Sequence, residues 1–89
     1  ALNGNYPNPF NPQTTISYSV KEAGRVKLEV YNIKGQKVRT LVDEDHATGR
    51  YTRVFDARDN RGRSISSGVY LLLMSAPEYL KTSKIMLMK

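Results

Sequence analysis

The 89-residue sequence contains no cysteine, no tryptophan and a single histidine. Without cysteine, disulfides, thiolate chemistry and cysteine metal sites are excluded, and Tyr, Phe, Leu, Ile and Val must fill the core. The longest apolar-rich stretch, residues 68–76, is far too short for a transmembrane helix. Residues 1–13 have no basic segment leading into an apolar one, so they do not form a signal peptide. We therefore expect a piece of a longer polypeptide, with any export signal upstream.

Acidic residues are also few: 8 Asp and Glu face 14 Lys and Arg, which gives a net charge of +6. A basic balance favours polyanionic partners such as nucleic acid, anionic lipid or phosphorylated glycan, but it identifies none of them. A solvated basic surface that keeps a small domain soluble explains the same composition. The length allows one domain with a modest core.

Apolar and polar residues alternate through most of the chain, which is the period of a half-buried β-strand. The pattern predicts six strands, at residues 14–20, 25–31, 36–42, 51–56, 69–74 and 80–89. In the second of these, three residues should face the core: Val26, Leu28 and Val30. Four should face outward: Arg25, Lys27, Glu29 and Tyr31. Residues 69–74 are apolar on both faces, which is typical of a central strand.

No segment has helical periodicity, and turn signals recur at intervals typical of a β-sandwich. The sequence therefore predicts an all-β fold, an immunoglobulin-like antiparallel β-sandwich of about seven strands, over residues 14–89. Residues 1–13, rich in Pro and Asn, are expected to be a lead-in from an upstream cargo, with a seventh strand available there. Tyr6 and Phe10 are the side chains expected to pin this segment to the domain.

Side chains that could carry out chemistry are few. His46 lies in a short charged loop with no glycine-framed nucleophile elsewhere, so we interpret it as a solvated loop histidine and not as part of a catalytic triad. Asp56, Asp59 and Asn60 fall in the long polar loop 56–67, where Asx turns or an oxygen-ligand Ca²⁺ site would explain them. Their spacing does not match an EF-hand. We assign no catalytic residue, no cofactor and no metal site, and leave calcium at this loop open.

The densest basic stretch contains five arginines: Arg50, Arg53, Arg58, Arg61 and Arg63. A nucleic-acid groove would need interleaved aromatic residues for base stacking, but the nearby Tyr51 and Phe55 are needed in the core. No helix is available to enter a major groove. We therefore expect no nucleic-acid partner. A solvated loop and an electrostatic contact with phosphates of a glycan or lipid both stay open.

Four short stretches become informative when they are taken together and in order. They are Tyr-Pro-Asn-Pro-Phe-Asn-Pro at residues 6–12, Val-Tyr-Asn-Ile-Lys-Gly at 30–35, Asp-Ala-Arg-Asp-Asn-Arg-Gly at 56–62 and Ser-Gly-Val-Tyr at 67–70. With the terminal Lys89, they resemble the C-terminal sorting domains of the type IX secretion system over essentially the whole chain. The pattern is also similar to the immunoglobulin-like domain of the flagellar hook-capping protein. The positions that match the family's motifs are Pro7, Asn8, Pro9, Gly68, Tyr70 and Lys89.

Three positions depart from the family's pattern. Phe55 stands where the strand before the Asp loop usually carries Trp, and Ala57 stands where Gly often follows the Asp. Arg53 replaces an apolar residue, and the alternation turns it inward, an uncomfortable position unless the strand is an edge or the guanidinium is paired. These departures bear on how tightly that strand packs and not on the fold.

The resemblance implies a sorting module with no catalytic activity of its own. In that family the cargo crosses the inner membrane by an N-terminal signal, and outer-membrane machinery then recognises the folded C-terminal sandwich. The implied partners are this machinery, its processing peptidase, the upstream cargo domain and anionic lipopolysaccharide, with the domain itself a monomer. The implied location is the periplasm in transit, then the cell surface or the medium. The alternatives are a structural assembly domain, as in hook capping or as a spacer in a surface enzyme, and, less favoured, a carbohydrate-binding module.

Recognition is expected in three places. The Pro-Asn-Pro segment should form a stiff, exposed strip at the junction with the cargo, while Gly68 and Tyr70 fit recognition and folding equally well. The last strand should lie at a sheet edge, with Ile85 and Leu87 facing the core. Its exposed side chains and unpaired backbone groups would then accept a partner by strand addition, and the candidate side chains are Met86, Met88 and Lys89.

Overall fold

Seven β-strands and no helix make up the computed structural model, which describes all of residues 1–89. In chain order the strands are β1 (Leu2–Tyr6), β2 (Thr14–Val20), β3 (Gly24–Asn32), β4 (Lys37–His46), β5 (Gly49–Phe55), β6 (Gly68–Ala76) and β7 (Tyr79–Leu87). Antiparallel pairing arranges them in a three-stranded sheet, β1-β2-β5, and a four-stranded sheet, β4-β3-β6-β7. The predicted all-β sandwich of about seven strands is confirmed. With every element a strand, the chain offers no helix long and apolar enough to cross a bilayer.

The core lies between the two sheets and follows the predicted alternation. Val26, Leu28 and Val30 of β3 are fully buried. β3 and β6 are the two central strands of the four-stranded sheet. The central position of β6, between β3 and β7, agrees with the prediction from its two apolar faces. Large side chains from both sheets meet in the core: Ile16, Tyr18, Phe55, Leu72, Met74, Ile85 and Leu87. A chain without tryptophan therefore closes its core with two phenylalanines, two tyrosines, a methionine and aliphatic residues.

Residues 1–13 take part in this sandwich. Leu2–Tyr6 pairs with β2, and the Phe10 side chain is 1% exposed. Of the two side chains predicted to pin the segment, Phe10 is in the core whereas Tyr6 is 82% exposed. Residues 2–6 and Phe10 are therefore part of the packed unit, and residues 14–89 alone lack one strand and one core ring.

Glu29 does not lie in solvent as its position in the alternation predicts. The residue is only 8% exposed. Lys37 Nζ lies 2.7 Å from the carboxylate, and the Tyr31 hydroxyl donates to it at 3.3 Å. Register shifts between β3 and β4 flank this position. The side chains of Lys37 and Tyr31 lie beside the carboxylate there. The ion pair and the hydroxyl replace water around the carboxylate.

His46 is a buried residue of β4, so the prediction of a solvated loop histidine was wrong. The strand continues past its predicted end to His46, opposite Gly24, because β3 offers its whole length for pairing. The ring stacks on Tyr51 with centroids 4.2 Å apart, and Tyr18 packs near both rings, 5.8 Å from His46 and 5.5 Å from Tyr51. The Tyr18 hydroxyl lies 2.8 Å from Nε2. Nδ1 lies 3.1 Å from the Asp45 carbonyl oxygen. Both ring nitrogens thus have partners, which a buried imidazole requires, and burial raises the pKa of Tyr18.

Arg53 meets both conditions under which an inward position is tolerable. It is half-buried, and β5 is an edge strand, so the guanidinium reaches solvent past the end of the sheet. Its Nη2 lies 3.8 Å from the Glu44 carboxylate. Phe55 on the same strand is fully buried, so the replacement of the family's Trp leaves this strand anchored.

Candidate functional site

The stretches that carry the resemblance are far apart in sequence but lie together at one end of the sandwich. In the three-stranded sheet, β2 begins at Thr14 opposite Phe55, the last residue of β5. In the four-stranded sheet, β6 begins at Gly68 opposite Leu87, the last residue of β7. The segments that flank these strand ends therefore converge. We call this end the motif end; it is formed by residues 6–14, 32–37, 55–70 and 85–89.

Ala1 lies at the opposite end of the sandwich. Its amino group donates to the backbone oxygen of Ser19, next to the last residue of β2. β1 separates Ala1 from Pro7 along the length of the sheet. The Pro-Asn-Pro segment is therefore far from residue 1, and not beside it as the sequence suggested.

The Pro-Asn-Pro segment closes part of the β7 edge. Asn8 Oδ1 accepts the backbone N–H of Met86 at 3.1 Å. Phe10 donates its N–H to the Met86 carbonyl oxygen at 2.9 Å and accepts the N–H of Met88 at 3.0 Å. Pro7, Asn8 and Pro9 themselves remain exposed. The segment thus acts as a short parallel partner of β7 while presenting its prolines to solvent.

The predicted strand addition at the end of β7 therefore needs a correction. β7 is an edge strand, and Met86 and Met88 are 38% and 54% exposed, as predicted. However, both N–H groups and the Met86 carbonyl oxygen already have partners in Asn8 and Phe10. A contact with another protein at these two residues would therefore use mainly the methionine side chains, whose flexible thioethers adapt to different surfaces.

Gly68 and Tyr70 have clear roles in folding. Gly68 begins β6 at φ 151°, a backbone conformation that side chains with a Cβ rarely adopt. Tyr70 is 7% exposed, and its hydroxyl donates to the Ser66 carbonyl oxygen at 2.6 Å. The pair therefore fixes the path by which the loop 56–67 enters the sheet.

Lys89 ties the chain end to the same loop. Its Nζ lies 2.5 Å from Ser64 Oγ, and its backbone N–H donates to Ser67 Oγ at 3.1 Å. The loop also holds Ala57, which has φ 60° and is 2% exposed. Left-handed backbone favours glycine, which gives a physical reason for the family's Gly at this position.

Asp59 binds the backbone of its own loop, as Asx turns do, whereas Asn60 joins the loop to β4. Asp59 Oδ1 accepts the N–H groups of Arg61 and Arg63, each at 2.9 Å, and Asp59 Oδ2 lies 3.1 Å from Arg63 Nε. Asn60 Oδ1 accepts the Thr40 N–H at 2.9 Å. No group of three or more His, Asp or Glu side chains is arranged to hold a metal ion. These hydrogen bonds lower the pKa of the Asp59 carboxyl, with the Arg63 backbone N–H as the main cause.

The order of the loop is expected to depend on pH through Asp59. Because the folded pKa of Asp59 is lowered, its hydrogen bonds are complete at neutral pH and are lost as the pH falls through that lowered value. The amide protons of Arg61 and Arg63 should therefore shift, in an NMR pH titration, with a midpoint below the usual Asp value of about 3.9. In an Asp59→Asn variant both amide shifts should stay flat over this range. A midpoint at or above the usual value would contradict the assigned contacts.

Positive charge is concentrated at the motif end. The cations there outnumber Asp56 and Asp59 and comprise Lys34, Lys37, Arg58, Arg61, Arg63 and Lys89. Arg39 pairs with Asp56 and Arg63 with Asp59, each within 3.1 Å. Arg61 is exposed, and its guanidinium has no hydrogen bond or ion pair within the chain.

A cleft of about 710 Å³ opens at this end between the turn 33–36 and the loop 56–67. Its walls carry Lys37, Arg61 and Arg63, and its floor includes Val38 and Ile65. This cleft is not predictable from the sequence alone. The basic stretch was visible, but the pairing that sets the 33–36 turn against the loop joins residues more than twenty positions apart.

Comparison with known proteins gives a family and two structural likenesses. Residues 5–88 match a family model described as "Secretion system C-terminal sorting domain". A structure from a study of PorZ, an essential bacterial surface component of the type-IX secretion system of Porphyromonas gingivalis, has a TM-score of 0.62 and 23% identity over 97% of this chain. FlgD of P. aeruginosa has a TM-score of 0.62 and 21% identity over 83% of this chain. No curated protein matches.

The two solved structures support the fold. This chain spans 11% of the PorZ chain and 58% of the FlgD chain, so neither whole protein is a counterpart of it. The likeness to FlgD agrees with the predicted relation to the immunoglobulin-like domain of the hook-capping protein.

Proposed function

Since this chain belongs to the family of type IX secretion system C-terminal sorting domains, we propose that it directs an attached cargo protein through the outer membrane to the cell surface or the medium. The observation that carries the proposal is the family match over residues 5–88. The convergence of the family's motif residues at the motif end supports it. A surface assembled from separate stretches exists only in the folded chain, so the secretion machinery would read a structure and not a linear tag.

The proposed partners are the outer-membrane secretion machinery and its processing peptidase, with anionic lipopolysaccharide as a further ligand. The domain would pass through the periplasm as a monomer joined to its cargo, and it would contribute no catalysis. The exposed candidates for recognition at the motif end are Pro7, Asn8, Pro9, Met86, Met88 and Lys89. Gly68 and Tyr70 would support these residues by holding the loop in place.

Export of a fusion protein tests the proposal. Residues 1–89 are fused to the end of a periplasmic reporter in a host with type IX secretion and in the same host without it. The intact fusion should reach the surface or medium only in the first host, and the reporter alone should stay in the periplasm in both. If the intact fusion stays in the periplasm of the competent host, the sorting function is wrong and a structural assembly role takes its place.

Side-chain variants locate the recognition surface. A Met86→Thr, Met88→Thr double variant should reduce export more than it lowers the melting temperature, because neither residue belongs to the buried core. Leu80→Thr is the matched control: Leu80 is 72% exposed on the same strand, away from the motif end. Equal loss of export in both variants would exclude a specific role for the two methionines.

A carbohydrate-binding module receives no support from the tyrosines, which would have to form an exposed platform. Tyr70 is buried, Tyr31 is half-buried beside Glu29, and the Tyr79 hydroxyl accepts the Leu2 N–H at 2.7 Å. None of these three residues is fully exposed, and Tyr6, the one exposed tyrosine, does not form a platform by itself.

A further inference from the structure

The cleft at the motif end has many unused hydrogen-bond donors and few unused acceptors. Most side-chain oxygens of its lining already accept bonds within the chain, including those of the Asp59 carboxylate, which accepts from Arg61 and Arg63. Asn32 Oδ1 takes the N–H groups of Lys34 and Gln36, Gln36 Oε1 takes Asn32 Nδ2, and Asn60 Oδ1 takes a backbone N–H. The hydroxyl oxygens of Ser66 and Tyr70 accept none. A ligand that brings donors would therefore find few free acceptors among these groups.

The free donors line the opening of the cleft. Arg61 has no internal partner for its guanidinium, and Arg63 uses only Nε, on Asp59. Lys37 has one partner, the Glu29 carboxylate, for three N–H groups. The side-chain NH₂ groups of Gln36 and Asn60 are also unpaired. A matching ligand must supply acceptors, and carboxylates suit guanidinium groups best because two parallel N–H···O bonds form.

The floor of the cleft adds an apolar requirement. Val38 and Ile65 are half-buried there and pack against the core. An aliphatic side chain between two carboxylates would cover both of them while its neighbours reach the arginines. A saccharide is disfavoured because Tyr70, the aromatic residue of the lining, is 7% exposed and offers no stacking face.

We infer that this cleft is the docking site for an acidic segment of a protein partner, with carboxylates on Arg61, Arg63 and Lys37 and an apolar side chain on Val38 and Ile65. The inference rests on the proposed function for its partner, which is then a component of the secretion machinery. Long-range attraction between the positive motif end and an acidic segment would also orient the encounter.

A titration of the isotope-labelled domain tests the cleft directly. The probe is a capped hexapeptide of alternating Asp and Leu, and the control peptide has Asn in place of each Asp. The acidic probe should shift the amide signals of Gln36, Asn60 and Ile65, and added salt should weaken its binding. The control peptide should cause no shifts. Shifts spread over the whole surface, equal binding of both peptides, or equal shifts with inorganic phosphate alone would overturn the assignment of an acidic peptide.

Two charge reversals make a matched pair for this titration. Arg61→Glu should weaken binding about tenfold, the sum of a lost ion pair and a new repulsion, with an unchanged melting temperature because its exposed side chain makes no hydrogen bond or ion pair within the chain. Arg50→Glu makes the same change in net charge near the Ala1 end, opposite Ser19, and should bind like the parent. Equal weakening of peptide binding in both variants would mean that net charge alone causes the effect, and it would contradict binding at the cleft.

The same two variants in the reporter fusion separate this inference from the proposed function. Export that fails for Arg61→Glu and persists for Arg50→Glu supports the docking site. If the reporter fusions of both variants are exported, as the intact fusion is, the docking site is wrong and the sorting function is still supported. A periplasmic intact fusion contradicts the sorting function, and the titration still decides whether the cleft binds acidic peptide.

Discussion

A Phe10→Ala variant is expected to lose about 3–5 kcal/mol of its free energy of unfolding, the usual loss for a buried phenylalanine truncated to alanine. The Phe10 ring is 1% exposed and lies 5.9 Å from the ring of Phe55, centroid to centroid. Its backbone also carries two of the three hydrogen bonds that close the β7 edge at Met86 and Met88. An 89-residue domain has in total roughly 5–13 kcal/mol of stability, so this single change removes a large part of it.

Denaturant unfolding measures this loss, and Tyr6→Ala is the matched control. Tyr6 is the other aromatic residue of the segment and is 82% exposed, so its truncation should change stability by less than about 0.5 kcal/mol. Phe10→Leu, which keeps most of the buried volume, should fold and lose less than Phe10→Ala. Equal stability of the Phe10→Ala and Tyr6→Ala variants would mean that the ring is not in the core in solution.

Leu28→Ala is expected to destabilise the domain by about 2–5 kcal/mol, because it leaves a cavity among fully buried neighbours. Leu28 is 0% exposed at the centre of β3, between Val42 of β4 and Met74 of β6. The preceding residue, Lys27, points the other way and is exposed. Lys27→Ala should therefore be neutral within about 0.5 kcal/mol.

Thermal or denaturant unfolding of these two variants checks the orientation of the central strand. The two residues are adjacent on one strand, so any effect on strand propensity is shared and only burial differs. Similar losses for both would show that the faces of β3 are assigned in reverse.

The strands were predictable from sequence where one face is buried and the other is exposed to solvent. β2, β3 and the last strand have that form, and the inward residues Val26, Leu28, Ile85 and Leu87 are all buried. β1 was harder to predict because Asn and Gly dominate it, and its pairing with β2 gives it its structure. His46 was misassigned because the acidic residues before it look like a loop, whereas their side chains simply face solvent along an extended β4.

The candidate site was predictable only as separate motifs. The sequence identified the Pro-Asn-Pro, Asp-loop and Gly-x-Tyr stretches, but their common location depends on strand register, such as Thr14 opposite Phe55. The closure of the β7 edge depends on a contact between Asn8 and Met86, seventy-eight positions apart. No local pattern encodes a contact of that range. The cleft likewise exists only once two distant turns are set side by side.

The placement of Ala1 at one pole and the motif end at the other has a steric consequence. The domain is 36 Å long, close to the length of a ten-residue strand, about 33 Å. A globular protein joined ahead of Ala1 would therefore lie about one strand length away from a receptor bound at the motif end. A receptor could enclose that pole without touching the passenger, whose size and shape would then not affect the fit. Under the proposed sorting function, the receptor-binding end and the end joined to the passenger protein would lie on opposite sides of the domain. One receptor would then fit passengers of unrelated folds.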